Sequence, residues 1–277
     1  MSSTQQGADT PLVDTHFHLY TRDMPLTSWA WHHPPADATA EDFIALMDRH
    51  GVGFGVVAAA SLHGQYNDYV IRALRRHPRL RGTAFLRPDT DMYTMERMKA
   101  DGIVGIRLFF RRVPDPPDLR SPEYRLLLRR VRDLDWHVHT LVASPMLPEV
   151  IAAVEDAGVK LVIDHFGRPD AALGVHHPGF AQVLALGANE QVWLKVSGLY
   201  RLGGTDEQQL AFAREAMPLL EQRFSAQRLV WGSDWPHTQH EHHMSFPTAV
   251  AQLEALGYSS PLRQALLIDA PRVLFGF

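Results

Sequence analysis

The feature that most constrains this chain is an alternation. Eight short apolar runs, at 12–20, 53–60, 81–86, 102–110, 136–142, 159–167, 192–200 and 228–235, punctuate the sequence. Several, such as GVVAAA and KLVIDHFG, are almost continuously apolar, as expected of strands covered on both faces of a parallel sheet. Between them, at 40–50, 66–77, 121–134, 147–157, 206–224, 246–256 and 260–267, apolar residues recur at helical spacing, and several segments open with Ser-Pro or end at Gly or Pro. Strict alternation of strand and helix implies a parallel sheet with right-handed crossovers. Eight such units in 277 residues predict an α/β fold, a single closed (β/α)8 TIM barrel, whose usual length is about 250 residues. Residues 1–10 read as a flexible N-terminal tail and 11–277 as the barrel domain. An open doubly wound sheet would carry a Gly-rich phosphate loop after the first strand, where this chain has HFHLYTRD.

Composition narrows the function. Hydrophobic residues make up 45% and charged residues 21%, values of an ordinary globular protein rather than a disordered one. The net charge of −4 provides no basic field for nucleic acid. No apolar run approaches the roughly 20 residues of a membrane span, and the polar start MSSTQQGADTP lacks a secretory pattern. The absence of cysteine excludes disulfides and thiolate chemistry and fits a cytoplasmic protein. The outlying number is 16 histidines, the side chain suited to metal binding and to proton transfer near neutral pH.

A barrel places its chemistry at the C-terminal ends of its strands. There the sequence puts His16 and His18, two apart and so on one strand face; Ser61 and His63; Arg107, Arg111 and Arg112; His137 and His139; Asp164 and His165; Ser197, Tyr200 and Arg201; and Asp234 with His237. Polar groups at seven of eight strand ends would converge on one mouth, where burial without partners is costly. Of the adjacent Arg111 and Arg112, one at most is expected to face inward. His137 and His139 suit the barrel interior as well as a ligand role. Lys195 is expected to be structural and ion-paired. Asp164, next to His165, is expected on the opposite face, holding a helix or loop. The clustered loop histidines, His240 among them, are expected in solvent, with His32, His33, Trp29 and Trp31 as lid material.

The motifs DTHFHL, GIRLFF, VIDHFGRPD, LKVSGLYRL and WGSDWPH, each on its own strand and in this order, resemble the amidohydrolase superfamily, and within it the 2-pyrone-4,6-dicarboxylate lactonase-like group. The likeness runs across the whole chain. It implies that His16, His18 and His165 face the substrate, that Asp234 is the general base toward water, and that Arg107, Arg201 and one of Arg111 and Arg112 grip substrate carboxylates. It also implies a substrate contact at Ser61, and His139 is a further candidate. The loop SWAWHHPP and the strand-five stretch TLVAS, which lacks a tyrosine, depart from the group.

The expected reaction is hydrolysis of a carboxylated lactone in aromatic-acid catabolism, by a monomer or small homo-oligomer. Water activated by Asp234 would attack while histidines polarise the carbonyl, and guanidinium groups would bind carboxylates bidentately. The resemblance implies that no metal is required. The alternative is one Zn²⁺ held by His16, His18, His165 and Asp234. Rival readings are a sugar lactonase, a Zn-dependent hydrolase or decarboxylase of the superfamily, and a non-catalytic anion-binding barrel.

Overall fold

The computed structural model describes residues 12–109, 116–141 and 147–277. Its strands are β1 (Leu12–Phe17), β2 (Val52–Val57), β3 (Leu80–Ala84), β4 (Ile103–Phe109), β5 (His137–Leu141), β6 (Lys160–Ile163), β7 (Val192–Lys195) and β8 (Leu229–Val230). They form one sheet in the order β1 to β8, every neighbouring pair parallel. The sheet closes on itself between β8 and β1. The Thr15 N–H donates to the Trp231 carbonyl at 3.0 Å, His18 N–H to Trp235 at 2.8 Å, and Asp234 N–H to His16 at 2.7 Å. Gly232 permits this seam, because a Cβ there would lie 2.4 Å from the backbone nitrogen of His16.

The helices are α1 (Ala40–His50), α2 (Asp68–Arg76), α3 (Met92–Ala100), α4 (Pro122–Asp133), α5 (Leu147–Asp156), α6 (Pro178–Ala185), α7 (Asp206–Phe224), α8 (Phe246–Glu254), α9 (Ser260–Gln264) and α10 (Ala270–Phe275). Local chemistry sets their ends. Thr205 and Gln208 form a capping box at the start of α7, and Thr39 caps α1, which stops at Gly51 in the left-handed region. Helices α3 and α6, and the short α10, are absent from the pattern read in sequence. The first buries only Met95 and Met98 of its nine residues, and the second is eight residues long and apolar almost throughout, so neither shows a clear stripe.

The main core lies between barrel and helices, for example Phe17 stacked on Phe43 at 3.5 Å. A second cluster joins Val56, Val162, Trp193 and Val230 to Ala270, Leu274 and Phe275 of α10. Each large apolar side chain removed from water there contributes about 1.5–3 kcal/mol. Phe277 packs on Phe54 near the start of β2, so the C-terminus closes the end of the barrel away from the mouth. Among the described residues no helix is long and apolar enough to cross a membrane.

Candidate active site

The strands end earlier than the apolar runs, and the residues beyond them turn into a cleft of about 350 Å³ at the C-terminal mouth. His18, Ser61, Arg107, His165, Arg201 and Asp234 all line it. His16 sits just beneath, its Nε2 3.3 Å from that of His18. Arg111 and Arg112 lie outside the described residues.

Asp234 is the hub of the mouth. Its Oδ2 accepts the Tyr200 hydroxyl at 2.8 Å and the Arg201 Nε–H. Among the described residues its Oδ1 makes no well-formed hydrogen bond, and it faces His18 Nε2 at 3.4 Å and His16 Nε2 at 3.6 Å. His165 Nε2 lies 3.6 Å from Oδ2. Burial alone would raise the pKa of Asp234; the Arg201 charge, followed by His165, His18 and His16, overcomes it and holds the carboxyl well below the usual range. Burial also lowers the histidines, His16 and His18 below their ordinary value and His165 to about 4, so they stand neutral at pH 7. The far nitrogens fix two of the rings. His18 Nδ1–H donates to the Ala58 carbonyl at 2.7 Å, and His165 Nδ1 meets Ser197 Oγ at 3.0 Å.

A second hub lies one layer down, and it corrects two expectations. Asp164 faces the barrel interior, not a helix. Its Oδ1 accepts His139 Nε2–H, its Oδ2 accepts Arg107 Nη2–H at 3.1 Å, and His16 Nδ1 lies 3.1 Å from Oδ1. The period-two argument failed because β6 stops at Ile163 and His165 takes φ +50°, which breaks the strand alternation and turns both neighbours inward. His139, read as a substrate contact, is fully buried on Asp164 and does not line the cleft. Burial raises the pKa of Asp164, but His139, His16 and Lys195 prevail and hold it well below the usual range. Lys195 is ion-paired as expected, 3.6 Å from Asp164 Oδ1. Arg107 reaches both layers. It lines the cleft, yet it is anchored by Asp164 and by the Ala59 carbonyl, 2.6 Å from Nη1.

Left-handed backbone aims the chemistry here. Asp234 itself has φ +62°, a conformation that costs non-glycine residues of order 1–3 kcal/mol and concentrates at functional sites. At Gly198, also left-handed, a Cβ would meet His165 Nδ1 at 2.6 Å.

Sequence reasoning placed Tyr200 at a strand end without giving it a role, and it took His240 for a solvated loop residue. Tyr200 binds Asp234, and His240 lines the cleft with its ring 4.8 Å from that of Tyr200. The signal for Tyr200 was its place beside Arg201; for His240 the sequence held none. Of the lid candidates, Trp31 lines the cleft, and His32 meets Glu241 at 3.7 Å, joining the loop after β1 to the loop after β8. Trp29 is exposed.

A parallel eight-stranded barrel whose mouth gathers paired histidines and an aspartate from β1, β6 and β8 defines a class of hydrolases. The amidohydrolase family model matches residues 13–277; the chain belongs to that family. The chain is 30% identical over 273 residues to the 4-sulfomuconolactone hydrolase of Rhizobium radiobacter, covering 95% of this chain and 89% of the relative. Two solved structures superpose with TM-scores of 0.90. One, from Pseudomonas putida and described as a 2-pyrone-4,6-dicarboxylic acid hydrolase, is 44% identical and covers 96% of this chain and 97% of its own. The other, from Acinetobacter baumannii, carries the same description, has citric acid bound, and is 32% identical over 97% and 100% of the two chains.

Proposed function

We propose that the protein hydrolyses a carboxylated lactone, 2-pyrone-4,6-dicarboxylate or a close relative. The observation that carries this reading is the pairing at Asp234: one carboxylate oxygen clamped by Arg201 and Tyr200, the other bare beside two histidines at the floor of a cleft. The relatives named for lactone hydrolysis and the citrate in the Acinetobacter structure support it.

In this reading Arg201 engages Asp234 through Nε and offers its Nη groups to a substrate carboxylate, with Ser61 and the anchored Arg107 beside it. Asp234 Oδ1 takes a proton from water as the oxygen of that water bonds to the lactone carbonyl carbon. The ring C–O bond then breaks, and the departing oxygen takes the proton back from Asp234. Histidine N–H groups at the floor stabilise the charge that develops on the carbonyl oxygen. A substrate carboxylate competes for the Arg201 guanidinium and so returns basicity to Asp234.

The same floor fits a divalent cation. His16 Nε2, His18 Nε2 and Asp234 Oδ1 lie 3.3–3.6 Å from one another, and the carboxylate oxygen lacks a hydrogen-bond partner among the described residues. These three residues would hold the ion, and Zn²⁺ there would supply a water of lowered pKa and polarise a carbonyl. A sugar lactone would bring no carboxylate to the Arg201 Nη groups, which this reading assigns to one.

The test is hydrolysis of 2-pyrone-4,6-dicarboxylate followed by ultraviolet absorbance, before and after prolonged chelation, with metal content measured on both samples. Turnover is expected. Survival on chelation with no bound metal would assign the work to side chains alone. Loss restored by Zn²⁺ would assign His16, His18 and Asp234 as ligands. No turnover in either state would remove this substrate.

A further inference from the structure

We infer that Arg168 is a positioning residue. It holds the turn that carries Tyr200 and Arg201, and through that turn it sets the clamp on Asp234 Oδ2 and the aim of the Arg201 guanidinium into the cleft. Little holds this turn by itself. Leu199–Arg201 is a single 3₁₀ turn between Gly198 and the pair Gly203 and Gly204, all three glycines with left-handed backbone. It is closed by the Arg201 N–H on the Gly198 carbonyl and the Leu202 N–H on the Leu199 carbonyl, each at 2.9 Å. One 3₁₀ turn between glycines has a weak intrinsic hold on its own orientation. Yet it must deliver two donors to one carboxylate oxygen, the Tyr200 hydroxyl and the Arg201 Nε–H.

The hold comes from the loop after β6. Four consecutive residues there, His165, Phe166, Gly167 and Arg168, have φ between +50° and +73°, a conformation that residues other than glycine adopt singly rather than in series. The Gly167 N–H on the Asp164 carbonyl at 2.9 Å and the Arg168 N–H on the His165 carbonyl at 2.7 Å close this second turn. It brings both His165 and Arg168 to the cleft. Arg168 then donates its Nη2–H to the Arg201 carbonyl at 3.0 Å. The Ala171 N–H bonds the next carbonyl, that of Leu202, at 2.8 Å. Two successive carbonyls after β7 are thus tied to the loop after β6, the first of them by a charged donor, which makes the stronger kind of hydrogen bond. Holding the Arg201 carbonyl fixes the backbone from which the Arg201 side chain leaves. Support of this kind keeps a functional side chain within the fraction of an ångström that its task needs.

The experiment has two arms. In the first, NMR of protein labelled with ¹⁵N-arginine follows exchange of the Arg201 Nε–H with water, with Arg201→Lys to assign the signal. In the parent this proton is expected to be protected by its bond to Asp234. In Arg168→Met it should exchange about tenfold faster or more. Equal protection in the two proteins overturns the inference, and so does a parent signal without protection. The second arm, which rests on the lactonase reading, is a double-mutant cycle on hydrolysis of 2-pyrone-4,6-dicarboxylate. Arg168→Met should raise KM about tenfold with a smaller fall in kcat, and in an Arg201→Met background it should change KM by about twofold at most. An equal rise in both backgrounds overturns the inference, because Arg168 would then act on the substrate or on the fold without Arg201. Where Arg168→Met does not fold, Arg168→Lys, which keeps the charge but lacks the planar fork, takes its place in both arms. The NMR arm needs no substrate, so a parent without turnover removes the lactonase reading and leaves that arm to decide the role of Arg168.

Discussion

Asp164 and Asp234 are both fully buried aspartates beyond strand ends, both held ionised, and both in reach of His16. They differ in how their oxygens are used. Asp164 has both oxygens occupied, by side chains from β4 and β5, with Lys195 of β7 close by. Asp234 has one oxygen clamped and one bare, and it alone of the two lines the cleft. A fully paired buried charge holds its neighbours in place. A half-paired one, open to a cavity, retains the capacity to take a proton or a cation.

The comparison breaks most directly at Asp234. Asp234→Asn should lower kcat by about 10²–10⁴, the range for a lost general base, while the melting temperature changes little; steady-state kinetics and calorimetry check this. Unchanged turnover would remove Asp234 from the reaction. Asp164→Ala should do the reverse in emphasis. It strands Arg107 and Lys195, and the loss of a buried partner costs about 3–5 kcal/mol, measurable by urea unfolding and larger than the cost of Asp234→Ala, whose arginine borders the cleft.

A more gradual effect is expected one layer lower. Burial, with Lys195 adding to it, lowers the His137 pKa from 6.5 to about 3. Above pH 6.5 the ring is neutral in both states; below it the unfolded chain takes up a proton that the folded one refuses. Stability therefore falls as pH drops from 6.5 toward 3, and in His137→Gln the fall should be shallower by up to about 1.4 kcal/mol per pH unit. Denaturant midpoints at a series of pH values would show it; parallel curves would refute it. The smallest change is at the rim. Ser61→Ala should lose about 0.5–1.5 kcal/mol of binding, read as a roughly twofold to tenfold rise in KM for a carboxylated lactone.

Much of this was legible in the chain. The bounds of α1 and α7 follow from their caps and apolar spacing, and the eight strands follow from short apolar runs, several of them almost continuous. His16, His18, His165, Arg201 and Asp234 announced themselves as polar residues closing such runs. Asp164 and His139 were misassigned because strand alternation was carried past the last residue of β6 and because the depth of a side chain in the barrel has no sequence signature. The partner of Arg107 was equally invisible, since Asp164 is 57 residues away.

The sequence by itself determined the barrel, the order of its strands and the kinds of group that follow them, because hydrophobic periodicity and residue chemistry are local properties. Only the tertiary structure decided which carboxylate is spent and which is free. That depends on left-handed turns at His165 and Asp234, and on closure of β8 against β1, where groups more than two hundred residues apart come within hydrogen-bonding distance.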